Sequence, residues 1–392
     1  MNIKEHIEKM RIIQRDLLEF VEKESNTEEN YENFIKIIND HKIIEDQHKF
    51  QSVLRLISKI GNEHRRVYDF IYKIERILEH FKKDITKHFS NSEIFKIFEN
   101  NKRILLFLIQ EKVIIIDEYV VSRITSNKYY EKDYPEYFAP EIKDFLTDEF
   151  IMKYSNQNKC LKNEDFINKI KKEIPEVFYN KRKEGENDSF LCSLIRKDDG
   201  KEFGVYINRH NLSFDSTIEE SIFETNPLLM NKKNIELIEY ASFFGSNEII
   251  KYIEINGEVE LTSSIWRFAI HSENAELIKY LEDKNISPPL NDYETILRES
   301  IKCHHNDVAN YIIYNLISEE DLQNNIENKY YNNFYRYAVE YDNYCFFPEN
   351  IKYKNLFFYL CLFNYYTLVK IYLEEGNIDI NSQNIYNIKH FK

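Results

Sequence analysis

Residues Ile235 to Leu281 carry one pattern twice. IELIEYASFFGSNEIIKYIEING is followed, after a short connector, by SIWRFAIHSENAELIKYLEDKNI. At an offset of 28 residues Ala241 falls on Ala269, Ile249-Ile250 on Leu277-Ile278, Tyr252 on Tyr280 and Ile253 on Leu281. Each copy reads as a short apolar helix ending on a small residue, a polar turn, and a second apolar helix. Such a pair cannot bury its own apolar face and must stack on a copy of itself.

Further copies follow from this one. SFLCSLIRKDDGKEFGVYINRHN places Ile195 where the pattern has Ala241, at a distance of 46 residues that implies an insertion. TILRESIKCHHNDVANYII follows the Trp266 copy at an offset of 31, with Ser300 as the small residue and His304 where Gly245 stands. NFYRYAVEYDNYCFF opens a copy around Ala338 that Pro348 cuts short, and LFFYLCLFNYYTLVKIYLEEG restores the full unit. Only 7 Gly and 7 Pro occur in 392 residues, too few turn formers for a β-sandwich or a dinucleotide-binding fold. The expectation is an all-α protein: a helical N-terminal domain over 1–155, a connecting segment over 156–188, and a repeat domain over 189–392.

In the first of these, Ile3, Ile7, Met10, Ile13, Leu17 and Phe20 share one helical face. Ser90 and Glu93 have capping-box spacing. Ile94 to Ile124 is apolar enough for a buried helical pair, and helix is preferred over strand for Val113–Ile116. Pro140 suits the first turn of a helix. KRKEGEND over Lys181–Asp188 is the most linker-like stretch, where limited proteolysis is expected to cut first.

A net charge of −14 excludes a nucleic-acid surface, because the short basic clusters Arg65-Arg66 and Lys181–Lys183 sit among acids. The five cysteines are scattered, which reads as small apolar residues in a reducing compartment. With no signal-like N-terminus and no run long enough to span a bilayer, the expectation is a cytoplasmic or nuclear protein that meets no membrane.

Ala241, Gly245, Glu248–Ile253 and Gly257 follow the second half of the ankyrin repeat, and Gly376 with Asp379-Ile380-Asn381 resembles the Gly that opens the next repeat's turn. More narrowly, Ile218–Leu281 resembles the divergent ankyrin-like domain of unknown function found in lineage-expanded families of unicellular parasites. The Thr-Pro-Leu-His that starts an ankyrin helix is nowhere intact, so the hydrogen bonds it normally makes between repeats must be replaced by others. The resemblance implies an ankyrin-like α-solenoid acting as a scaffold for an unknown protein partner.

No motif supports catalysis. Gly200-x-x-x-Gly204 lacks the phosphate-loop Lys and the dinucleotide spacing. Cys303-His304-His305 resembles a metal set, but neighbours in sequence point apart and no second cluster completes a tetrahedron. Turn and core roles are therefore expected there, with no metal and no cofactor. Tyr240 and Tyr335 are read as groove-facing, Trp266 as core. The partner-facing positions, by register, are Glu239, Arg267, His271 and Arg298. An enzyme housed in the N-terminal region and a decayed, inactive family member stand as alternatives. Finally, the last pair is too apolar for one buried stripe in Leu356, Phe357, Leu360, Leu362, Leu368, Ile371 and Leu373. The array thus reads as truncated, with self-association through its C-terminal end.

Overall fold

The computed structural model describes residues 3–374 except 24, 26, 66, 68, 258, 290, 291, 318–329 and 348–355. Expectations placed on Arg66, Pro348, Gly376 and 379–381 lie outside the described residues. The chain is all-helical; no β-strand occurs among the described residues, and a single antiparallel bridge joins Thr217 to Glu236. No described helix is long and apolar enough to cross a membrane.

Six helical hairpins recur along the second half. Their helices are Phe190–Arg196 with Gly200–His210, Leu237–Phe244 with Asn247–Gly257, and Ile265–His271 with Ala275–Asp283. Then come Tyr293–Lys302 with Asn306–Tyr311, Tyr330–Glu340 with the short 3-10 turn Tyr344–Phe346, and Leu356–Leu362 with Tyr366–Glu374. Between the two arms of each sits one residue in left-handed conformation: Asp198, Gly245, Glu273, His304, Asp342 and Asn364, with φ between 53° and 70°. Their spacing from Gly245 to Glu273 and on to His304 reproduces the offsets of 28 and 31 read in the sequence.

One backbone bond defines every turn. The N–H after the left-handed residue donates to a carbonyl five residues back, near the end of the first arm. The pairs are Asp199 to Leu194, Ser246 to Ala241, Asn274 to Ala269, His305 to Ser300, Asn343 to Ala338 and Tyr365 to Leu360, at 2.8–3.2 Å. This satisfies carbonyls that a helix end otherwise leaves without partners. The first copy is thus in register through Leu194, one residue before the Ile195 expected from sequence.

The chain divides into two compact units. One contains residues 1–74 and 269–392, the other 75–268, so the units cross the boundaries expected at 155 and 189. The physical reason is visible inside the first unit. Three N-terminal helices, α1 (Ile3–Glu22), α2 (Thr27–Asp40) and α3 (Gln47–Glu63), bury Ile7, Met10, Ile13, Leu17, Phe34, Ile38, Val53, Leu54 and Ile57. α1 and α3 pack on Tyr366–Glu374, and α1 also packs on Tyr344–Phe346. The apolar surface expected to stand bare at the end of the array is therefore covered. Leu356, Phe357, Leu360, Leu368 and Ile371 are buried; Leu362 and Leu373 remain exposed. The ground for reading a bare, truncated end, and self-association through it, is met within the unit.

In the second unit, Ser90 and Glu93 form the expected capping box, with the Ser90 N–H donating to Glu93 at 2.8 Å. Pro140 lies in the first turn of Ala139–Ile142. Val113–Ile116 is neither helix nor strand. The Asn91 side chain donates to the Ile115 carbonyl at 2.8 Å and accepts its N–H at 2.9 Å, serving as a one-residue strand partner. The 181–188 stretch is no linker either. Arg182 is buried, binds both oxygens of Glu141 at 2.6 and 2.9 Å, and donates to the Tyr137 carbonyl at 3.1 Å. Bidentate ion pairing and burial override the local charge density that suggested a flexible segment.

Within this unit Phe190–Arg196 packs on Leu237–Phe244 and Gly200–His210 on Asn247–Gly257. Gly204 permits the second contact, because a Cβ there would stand 2.4 Å from the Tyr252 hydroxyl. Ala241 is fully buried at the same level. Ala241→Leu should cost about 1–3 kcal/mol by overpacking. A urea midpoint that does not move would refute the stacking described.

Candidate functional site

Four hairpins are fastened to the one before by the side chain that follows the left-handed residue; Asn274, at the same place, caps its own second arm at Leu277. Ser246 Oγ donates to the Ile195 carbonyl at 2.6 Å, and His305 Nε2 to the His271 carbonyl at 2.9 Å. Asn343 Nδ2 donates to the Ile301 carbonyl at 3.0 Å, and the Tyr365 hydroxyl to that of Val339 at 2.7 Å. Ser, His, Asn and Tyr thus fill one structural role.

Helix α3 lies along the turns of the first unit. Arg55, Lys59 and Glu63 are four residues apart and share one face. Arg55 donates to the Asn364 carbonyl at 3.1 Å and to Asp342 at 3.3 Å, and Lys59 sits 5.4 Å over the Tyr341 ring. Glu63 pairs with Lys302 at 2.7 Å. His64 Nδ1 donates to the Cys303 carbonyl at 2.6 Å while its Nε2 lies 3.1 Å from Glu22. Arg65 closes the row on Glu273 at 3.0 Å. One helix and its C-terminal end therefore reach the turns of four hairpins.

Under this row three side chains converge. His271 ends the first arm of one hairpin, and Glu299 and Cys303 lie one helical turn apart on the next. Cys303 Sγ is 3.2 Å from His271 Nδ1 and 3.6 Å from Glu299 Oε1, and His271 Nδ1 is 3.4 Å from the same oxygen. All three residues are buried. Burial keeps His271 below the usual imidazole range, although Glu299 pulls the other way. Burial and then Glu299 push the Cys303 thiol well up, so it holds its proton. Lys302 would be lowered by burial, but Glu299 at 3.4 Å and Glu63 at 2.7 Å hold it above the ordinary lysine range. Cys303 therefore clusters with His271 and Glu299 rather than with its sequence neighbours, as the sequence reading had weighed. Glu299 escaped notice because only the stacking of two hairpins brings it to His271; its four-residue spacing from Cys303 was the available signal.

The four register-derived positions divide. Glu239 is buried: it accepts from Lys232, from Ser264 Oγ at 2.8 Å and from the Glu236 N–H at 3.2 Å, completing a capping box. His271 is buried in the cluster above. Neither presents a surface to a partner, because Lys232 and Ser264 cover Glu239, and Glu299 and Cys303 cover His271. Arg267 and Arg298 are exposed. Tyr240, read as groove-facing, is buried and takes a hydrogen bond from Arg196 at 2.9 Å. Tyr335 is half-buried, and Trp266 is core, at 2% exposure.

A cavity of about 400 Å³ in the first unit runs beside α1, where Arg11, Arg15, Glu19, Glu22, Glu273 and His304 line it. Its mixed signs favour no single charged ligand. Compared with protein-family models the chain gives no match, and it matches none of the curated proteins searched.

His304 is buried and lines the cavity beside α1. Burial, and then His64, lower its pKa from 6.5 to about 3. The folded chain thus keeps it neutral, while the unfolded chain takes up a proton below pH 6.5. Stability linked to His304 is complete above that pH and is lost as pH falls from 6.5 toward 3. The slope is about 1.4 kcal/mol per pH unit. His304→Asn retains a residue that tolerates the left-handed turn. It should flatten the pH dependence of the urea midpoint between about pH 6 and 4.5 by that amount; an unchanged slope would place the titration elsewhere.

Proposed function

We propose that the protein is a non-catalytic, ankyrin-like helical-repeat scaffold that binds another protein through the first arms of its hairpins. The observation that carries this reading is the surface around Arg298. Its guanidinium lies 5.2 Å from the Tyr337 ring and 5.7 Å from that of Tyr341, and donates to the Tyr341 hydroxyl at 2.8 Å and to Glu340 at 3.3 Å. Glu294 then accepts from the Tyr337 hydroxyl and from Asn333, both at 2.7 Å. The result is an exposed arginine beside a half-buried tyrosine, Tyr337, residue types that dominate binding surfaces, held by the buried Tyr341 before any partner arrives.

Two further observations favour the same face. The turns of the first unit are already occupied by α3, which leaves the first arms as the accessible polar surface. The group nearest to a nucleophile, the Cys303 thiol, is buried and protonated, which speaks for binding rather than turnover. The recurring turn and the inter-hairpin bonds support the repeat architecture, and Arg267 marks the corresponding exposed position in the second unit. We place the protein in the cytoplasm or nucleus, with no nucleic acid among its partners.

The test is affinity capture from the native cell with the full chain and with Arg298→Ala, followed by titration of the captured protein. Loss of that arginine should weaken binding by about 2 kcal/mol, roughly 30-fold, without changing the melting temperature. Equal retention of every captured protein by both forms would end this reading, as would substrate turnover by the wild-type chain.

A further inference from the structure

We propose that His271, Glu299 and Cys303 bind a divalent transition-metal ion of the zinc class, in a buried three-ligand site that joins two successive hairpins. The argument begins with the shape of the triangle. Zinc holds nitrogen and oxygen ligands at about 2.0–2.2 Å and sulfur at about 2.3 Å, so the edges of a tetrahedron of such ligands run about 3.3–3.6 Å. The three atoms that would coordinate are separated by 3.2, 3.4 and 3.6 Å. They point at one another from two hairpins, and the chain needs no rearrangement to take an ion between them.

Charge is compatible with an ion there. Glu63 and Glu299 both contact Lys302. Glu63 gives Lys302 the shorter contact, at 2.7 against 3.4 Å, so the Glu299 oxygen remains the one facing His271 and Cys303. A divalent ion bound to the Cys303 thiolate and the second carboxylate brings the group to zero net charge. Binding breaks the Cys303 S–H bond and forms a metal–sulfur bond; the proton leaves to solvent, and nothing is oxidised or reduced. A neutral imidazole, a thiolate and one carboxylate suit zinc or cobalt and are wrong for calcium or magnesium, which take oxygen ligands alone.

Backbone contacts hold the chain on either side of the site. The His271 carbonyl is held by His305 and the Cys303 carbonyl by His64. Three protein ligands leave the fourth tetrahedral position to a water molecule, and burial of all three keeps the ion away from bulk solvent.

The test uses the full chain, stripped with a chelator and titrated with cobalt(II). One equivalent should bind and produce a thiolate-to-cobalt charge-transfer band in the near ultraviolet, which one equivalent of zinc then displaces. Cys303→Ser should abolish the band, while Cys345→Ser and Cys361→Ser keep it. Glu299→Gln, nearly isosteric, should weaken cobalt binding by about 100-fold or more, and it carries the test if Cys303→Ser does not fold. Absence of the band in the wild-type chain overturns the proposal. So does a band that survives in Cys303→Ser, or an affinity that Glu299→Gln leaves unchanged.

Discussion

The side-chain bonds that tie four of the left-handed turns to a carbonyl of the preceding hairpin are what the hairpin rows depend on. A helix end leaves carbonyls without partners, and a stack of short helices multiplies such ends. Each turn satisfies some of them internally, and four also bond a carbonyl of the neighbour. Because the donors differ in length, from the Ser246 hydroxyl to the Tyr365 phenol, the hairpins can sit at unequal spacing and still be tied. That tolerance fits the uneven intervals between the turns. The same interaction makes the left-handed residue indispensable, since only that conformation turns the next side chain back toward the previous hairpin. Four non-glycine types, Asp, Glu, His and Asn, accept this conformation at about 1–2 kcal/mol each, a cost that the added bonds offset.

The turns form an edge of polar backbone, and α3 covers that edge in the first unit. Its charged face does this by contacts of opposite sign and kind at successive turns: a guanidinium on a carbonyl, a carboxylate on an ammonium, an imidazole on a carbonyl. α1 adds a second layer through Gln14, which exchanges hydrogen bonds with Asn343 and the Tyr344 N–H at 2.9 and 2.7 Å. Residues more than 300 positions apart thereby belong to one core. Any partner must approach from a different side, which is why Arg298 and its tyrosines gain weight as a binding surface and the turns lose it.

Beneath α3 the interior is unusually rich in ionisable groups for a buried location. Isolated, each would be costly; clustered, they neutralise and hydrogen-bond one another. Lys302 between Glu63 and Glu299 is the centre of this balance. His304 is buried close by, and together with His271 and His305, which burial also keeps below the usual imidazole range, it makes this core sensitive to acid.

The sequence by itself determined the helical class, the hairpin unit and the offsets of 28 and 31. Apolar periodicity and a small residue at the close contact are local properties, and local properties survive in any tertiary setting. It also yielded the capping box at Ser90 and the core role of Trp266. Other outcomes required the folded chain. Whether Glu239 and His271 face a partner or the core is decided only by their actual neighbours, Lys232 and Ser264 or Cys303 and Glu299. The apolar last hairpin read as a bare end because its covering, α1 and α3, lies at the opposite end of the chain, and periodicity carries no information about such a distance. Arg182 read as linker charge because Glu141 is 41 positions away. Long-range pairing is set by the closure of the whole chain, and this is the one quantity that a local pattern does not contain.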